Sequence, residues 1–357
     1  MDHNNFRKLI SGEKAGLAAL ILRLLLWPVS FGYLIIVQLR NLLYSKGWLK
    51  VHHAKATIIS VGNITTGGTG KTPLVIWLCK QLSDYQCAIL TRGYKTRKHE
   101  PEYLTDEPAI FAESCPETPV IVNPDRVGGA EEAAIKFGTK VLIMDDGFQH
   151  RRLARDLDIV TIDATLPFGY GKILPAGLLR EPVSSLKRAG AAVITRSDQI
   201  AENELKKIEE KLRLFNPDMI IAKSIHAPAY VKSMDNREIG LEQLKGKKIY
   251  AFCGIGNPSS FLRTVKATGA EVVGSKIFND HYHYTETCIT DICKEAEILK
   301  TDLILTTQKD KNKINQQISS KIEIPLVYIA IEIKFLSGED KLRDLIEKTL
   351  AGKMPEL

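Results

Sequence analysis

The residues GNITTGGTGKT, Gly62 to Thr72, stand between a β-branched run, ATIISV, and an apolar stretch of helical spacing, TPLVIWLCKQLSD. A phosphate chain is held by backbone N–H groups that converge where no side chain intrudes. Gly67, Gly68, Thr69 and Gly70 therefore suit a phosphate-binding loop, and the N-terminus of the following helix adds a favourable dipole. In that setting Lys71 reaches the β- and γ-phosphates of a nucleotide and Thr72 offers its hydroxyl to Mg²⁺. The strict pattern G-x-x-x-x-G-K-[ST] asks for glycine at 65, where this chain has Thr65. A chance glycine-rich turn is the plain alternative. Strand, loop, Lys-Thr and helix in the required order weigh against it.

A second chemical signal is VLIMDD, an apolar strand ending in Asp145 and Asp146. An acidic pair after a strand is usually only a solvated end, but beside a phosphate loop it suits the Mg²⁺ shell. Downstream lie His150, Arg151, Arg152 and Glu181, the last reading as a surface charge on sequence alone. NDHYHY, Asn279 to Tyr284, sets an acid beside two histidines, with metal, base and structural roles all open. In a strand Asp280 and His281 would point to opposite faces, so a partner for either comes from elsewhere. D-H-Y-H is not a zinc spacing.

The elements that must position these groups alternate strand and helix from Ala56 onward: ATIISVGN, the helix at 72–84, CAILTRGY, PVIVN, KVLIMDD, LDIVTIDA and AAVITRS. That alternation predicts an α/β fold, a mostly parallel P-loop NTPase-like sheet with helices on both faces. A charged helix over 202–214 follows. Residues 226–244, with Pro228 and Gly240, read as a connection between a nucleotide-binding domain at 51–225 and a smaller α/β domain at 245–357. In the latter, helices are expected near 259–268 and 286–299 among four short strands.

With 44% hydrophobic and 25% charged residues and a mean hydropathy of -0.08, the 357-residue chain reads as globular. Its six cysteines form no C-x-x-C pair, which points to a reducing, cytosolic compartment. The net charge of +7 is concentrated at one end, where residues 1–55 hold eight basic residues against Asp2 and Glu13. This surplus flanks the most apolar segment, Ala15 to Leu39, which favours anionic lipid over nucleic acid as its partner. Arg23, Pro28 and Gly32 interrupt the segment, and Trp27, Tyr33, Tyr44 and Trp48 lie among its basic flanks like interfacial anchors. Residues 1–50 are thus expected to form a membrane-directed helix, spanning once or lying in the interface. A buried soluble helix is the bland alternative, and a signal peptide is disfavoured by Arg23.

In order, GNITTGGTGKTP, LTRGY, TDEP, DDGFQHRR, GYGKILPAGLLREP, FCGIGNP, FNDHYHY and LTTQKD resemble the tetraacyldisaccharide 4'-kinases, the lipid A 4'-kinases of Gram-negative bacteria. The resemblance runs from Ser60 to about Lys313, and DDGFQHRR and LPAGLLREP are its specific parts. It implies an ATP- and Mg²⁺-dependent kinase acting on the 4'-hydroxyl of an acylated glucosamine disaccharide 1-phosphate, at the cytoplasmic face of the inner membrane, with no obligate protein partner. It places a metal shell on Thr72, Asp145, Asp146 and Glu181, and makes Lys71 catalytic as well as phosphate-binding. An acceptor-activating acid falls on Asp106, helped by His281; the family's GDEP is TDEP here, with Thr105 for glycine. A sugar hydroxyl is a weak nucleophile, and a carboxylate oriented by a histidine suits it. Arg92, Arg126, Arg151 and Arg152 are candidates to steady phosphate charge. A membrane-recruited P-loop ATPase switch that acts on a protein partner is the rival reading; it has no need of an acid and histidine in the second domain.

Overall fold

The computed structural model describes residues 3–93, 106–280, 282–314 and 324–353. An amphipathic helix, α1 (His3–Ser11), leads into a 29-residue helix, α2 (Leu17–Ser45). The expected alternation then appears: β1 (Thr57–Gly62), α3 (Lys71–Gln81), β2 (Cys87–Thr91), α4 (Asp106–Ser114), β3 (Val120–Val122), α5 (Arg126–Phe137) and β4 (Val141–Asp145). It continues through β5 (Leu157–Asp163), β6 (Ala191–Thr195) and α6 (Glu202–Phe215). The remaining elements are β7 (Ile220–Ser233), β8 (Glu238–Ile239), β9 (Lys248–Cys253), α7 (Pro258–Ala267), β10 (Glu271–Ile277), α8 (Glu286–Ile298), β11 (Leu303–Thr307), the single turn α9 (Gln308–Lys311), β12 (Leu326–Ser337) and α10 (Glu339–Ala351).

Among the described residues twelve strands form one sheet, ordered β10-β9-β11-β12-β7-β6-β5-β1-β4-β2-β3, with β8 beside β7. The block from β3 to β7 is parallel, and so is the block from β12 to β10; they meet where β7 and β12 run antiparallel. Strand β7 crosses residues 226–233, which the sequence suggests are part of a connection. The reason that stretch hides its strand character is Pro228: it sits opposite Ile331, where the register of the β7/β12 pair shifts. A proline, lacking an N–H, is tolerated in a ladder at such an irregularity.

Burial explains the rest. Strands β1, β2, β4, β5 and β6 are buried on both faces and so read as continuous apolar runs rather than alternations. Leu74, Leu78 and Leu82 of the α3 stretch pack on that sheet with Ile59 and Ile143. The same cluster takes Leu342, Ile346 and Leu350 of α10, residues that the sequence groups with the smaller domain. Trp77 seals the contact, with Phe335 edge-on at 5.0 Å and Glu339 accepting from its indole N–H at 3.3 Å.

Helix α2 lies along the body with its apolar side exposed: Leu24, Leu25, Trp27, Val29, Phe31 and Ile36 are all more than half exposed. By length and composition it is sufficient to cross a membrane. Its opposite side is polar where it meets the body. Ser30 Oγ accepts from the Ala176 N–H at 2.8 Å, Tyr33 donates to the Arg180 carbonyl at 3.1 Å, and Arg151 donates to the Asn41 carbonyl at 2.8 Å.

Candidate active site

Strands β1 and β4 are paired in parallel, with Val61 opposite Asp145. The loop after β1 and the acidic pair after β4 therefore emerge side by side at the carboxyl edge of the sheet, where α/β folds take their ligands. Gly67 and Gly70 have φ of +114° and +88°, left-handed values that favour glycine. A Cβ at Gly70 would stand 2.5 Å from His226 Nε2.

The loop is braced from both sides. Beneath it, Asn63 donates to the Thr69 hydroxyl at 2.9 Å, that hydroxyl meets Thr161 at 2.7 Å, and Thr195 donates to the Thr69 carbonyl at 2.9 Å. On its outer edge the LPAGLLREP segment runs alongside. Thr66 N–H donates to Leu178, Arg180 N–H donates to Ile64, and Thr65 pairs with Leu179. The departure from the strict motif thus has a local cause: residue 65 is extended, bridged backbone, a place suited to a β-branched side chain.

The loop opens into a cleft of about 220 Å³ whose far wall comes from the second block: Gly256, Asn257, Phe261, Asp280 and Lys309. Lys71 Nζ lies 3.4 Å from Asp146, whose carboxylate also accepts from Arg180 at 2.9 and 3.0 Å. Burial would raise the Asp146 carboxyl, but Lys71 and Arg180 hold it well below the usual carboxylate range. Asp145 is the opposite case. Burial, then the charges of Glu107 and Asp146, push it up to about 7, against the pull of Lys71 and Arg126. Arg126, itself buried, donates to the Asp145 carbonyl at 2.9 Å, and burial draws its guanidinium down to about 10.

Two side chains that sequence reasoning missed complete the wall. Arg196, buried at the end of β6, pairs with Asp163 and donates to Ser260 at 3.0 Å and to the Gly68 carbonyl at 2.8 Å, tying the phosphate loop to α7. His226 of β7 is buried against Gly70; burial, then Arg196, hold its imidazole well below the usual histidine range. Arg196 stands in AAVITRS as an arginine directly after a buried strand, and that was the readable signal. His226 left none, being one histidine in a stretch without period.

Of the expected site residues, Gly67, Gly68, Thr69, Gly70, Lys71 and Thr72 all line the cleft. Asp145 and Asp146 stand beside them. Glu181 does not join them: fully buried, its carboxylate accepts from Asn41 at 2.9 Å, Arg188 at 3.0 Å and Arg40 at 3.4 Å, linking α2 to the body. Arg151 and Arg152 also face away from the cleft, Arg151 stacked on Tyr44 and Arg152 paired with Asp125. His281 and the side chain of Asp106 lie outside the described residues. Their chain neighbours Glu107 and Asp280 both line the cleft, and Asp280 occupies a turn after β10 rather than a strand.

Among the described residues no three His, Cys, Asp or Glu side chains gather as a metal cage. Mg²⁺ needs less, since it keeps waters and substrate phosphate oxygens and takes one or two carboxylates. Thr72, Asp145 and Asp146 suit it, because crowded carboxylates in a buried setting are relieved by a dication.

Residues 22–351 match the family model described as tetraacyldisaccharide-1-P 4'-kinase. The chain is similar to a tetraacyldisaccharide 4'-kinase of Halothermothrix orenii, 36% identical over 88% of this chain and 90% of that one. One from Elusimicrobium minutum is 33% identical over 94% and 93%. The fold is similar to the crystal structure of LpxK from Aquifex aeolicus in complex with ATP. That similarity has a TM-score of 0.70 and 31% identity, and covers 92% of this chain and 99% of that one.

Proposed function

Since the chain belongs to the tetraacyldisaccharide-1-P 4'-kinase family, we propose that it transfers the γ-phosphate of ATP to the 4'-hydroxyl of a tetraacyl glucosamine disaccharide 1-phosphate, a lipid A precursor. The observation that carries the reading is the cleft itself. Lys71, Thr72 and the glycine loop form one wall, and the neighbours of both members of the acid–histidine pair, Glu107 and Asp280, form part of the rest.

In this reading Gly67 to Gly70 present backbone N–H groups to the phosphate chain, and Lys71 leaves Asp146 to meet the γ-phosphate. Thr72, Asp145 and Asp146 would hold Mg²⁺, which when bound neutralises phosphate charge as the terminal group departs. Asp106, oriented by His281, accepts the proton of the sugar 4'-hydroxyl as its oxygen bonds to the γ-phosphorus. The bond from that phosphorus to the β-phosphate oxygen breaks, and ADP leaves. Arg180 and Arg196 hold the loop and Asp146 in place. Glu181 serves as the anchor of α2.

The lipid substrate requires the cleft to work at a membrane surface, and the orientation of α2 suits one. Its hydrogen bonds to the body run from Ser30 onward; ahead of them Ala19 is buried and Arg23 packs by Gly12, and the largely exposed stretch from Leu17 to Val29 is about 20 Å of helix against a hydrocarbon core of about 30 Å. We therefore place α2 in the interface on the cytoplasmic side of the inner membrane, with Trp27 and Trp48 at headgroup level.

The test is transfer of label from γ-labelled ATP with Mg²⁺ to the acylated disaccharide 1-phosphate in detergent micelles. Label on the lipid, lost in Lys71→Ala and strongly reduced in Asp106→Ala, is expected. Label released only as inorganic phosphate would overturn the reading in favour of an ATPase.

A further inference from the structure

Helix α1 lies ahead of residue 22, where the family match begins, yet it reaches the nucleotide cleft. Leu9 and Ile10 are buried, and Gly12 at its end packs against Arg23 of α2. From this seat Arg7 extends between the two walls. Its Nη1 donates to the Gly256 carbonyl in the FCGIGNP loop at 2.7 Å. Its Nη2 comes within 3.0 Å of where a Gly67 Cβ would stand. At the same point the loops meet glycine against glycine, the Gly68 nitrogen 3.0 Å from a Cβ position on Gly256. Arg7 Nε is buried there with no hydrogen-bond partner. The Arg7 charge also acts on Tyr170 in the GYGKILPAG segment: burial raises that phenol and Arg7 draws it back.

We propose that Arg7 is a positioning residue for nucleotide binding, clamping the Gly67–Gly68 edge of the phosphate loop against Gly256. Glycine backbone is the costliest to order, and each residue that must be fixed on binding weakens it by roughly tenfold. A guanidinium that spans Gly67 and Gly256 fixes the outer edge before ATP arrives. It also sets a positive charge beside the loop where phosphate charge will be. Because α1 is seated by Arg23 of α2, the phosphate loop and the membrane-facing helix are mechanically joined through α1. The inference rests on the kinase reading only for its steady-state arm, since nucleotide binding is measured without acceptor.

The experiment compares full-length protein in detergent with Arg7→Ala, Arg7→Lys and a deletion of residues 1–12. Binding of a non-hydrolysable ATP analogue with Mg²⁺ is read by titration, and KM for ATP and for the lipid acceptor by label transfer. Arg7→Ala and the deletion should each weaken analogue binding and raise KM for ATP about tenfold, while kcat and acceptor KM stay within about twofold. Arg7→Lys should fall between, because an ammonium meets Gly256 but does not span to Gly67. Analogue affinity within about twofold of the unaltered protein in both Arg7→Ala and the deletion would overturn the proposal. So would a rise confined to acceptor KM, which would assign α1 to the lipid. Loss of acceptor phosphorylation with analogue affinity still Arg7-dependent would count against the kinase reading and leave this one standing.

Discussion

Asp145 offers a quantitative test of the site's electrostatics. Its carboxyl rises from an ordinary 3.8 to about 7, through burial first and then the charges of Glu107 and Asp146. About three pH units correspond to about 4 kcal/mol. The sign follows from proton linkage. Between pH 4 and 7 the folded protein holds a proton on Asp145 that the unfolded chain has released. The stability this group contributes is therefore complete below pH 4 and lost as pH rises towards 7. Buried His150 and His226 act in the opposite sense, both held below the usual histidine range and so favouring the fold at higher pH. The quantity to measure is accordingly a difference: urea unfolding in detergent with chelator, native protein against Asp145→Asn, from pH 5 to pH 8. Trp77 is the reporter, buried in the core, whereas Trp27 and Trp48 are exposed. Relative to the native protein, the variant should gain about 3 kcal/mol across that range, most of it below pH 7. Glu107→Gln should shift the midpoint of the trend to lower pH. A difference that stays flat from pH 5 to 8 would mean that Asp145 is ionised throughout, and would refute the account of the acidic pair.

Arg196→Ala would leave Asp163 buried without its ion pair and release both Ser260 and the Gly68 carbonyl. A loss of about 3–5 kcal/mol in unfolding free energy is expected, with Arg196→Lys recovering little of it. Gly70→Ala forces a side chain into left-handed backbone and onto His226; nucleotide-induced thermal stabilisation should disappear while the protein remains folded. Arg188→Ala strips one partner from fully buried Glu181 and should cost about 3 kcal/mol; equal melting temperatures for native and variant would contradict the anchoring role given to Glu181.

The phosphate loop, the acidic pair and nearly every strand of the first block were legible because their signals are local: glycines before Lys-Thr, and apolar runs of strand length. What escaped is what depends on distant partners. Nothing near Glu181 in sequence announces that Arg40 and Asn41, some 140 residues earlier, will take its oxygens. Arg151 and Arg152 come only five and six residues after Asp146, yet the turn after Asp146 carries them to the other side, towards α2 and Asp125. Residues 226–233 carry no strand alternation because Pro228 interrupts them, and their pairing comes from β12, a hundred residues later. The helix of residues 339–351 has no counterpart among the elements expected from the sequence, and its place on the first core is set by Ile59 and Leu74, which only tertiary structure brings to it.

The antiparallel meeting of β7 and β12 also says how the molecule is composed. The chain leaves the first block along β7, builds β8 to β11 with their helices, and returns along β12 to lay α10 on the core it left. Ser233 and Val327 face each other across that pair. Everything between them is, topologically, the loop of a single hairpin. The second wall of the cleft is thus an insertion into a nucleotide-binding unit that is closed at both ends. Its two attachment points are neighbouring strands of the same sheet, so opening the cleft by swinging the insertion would shear a ladder. Access is left to the loops that bear Gly256 and Asp280.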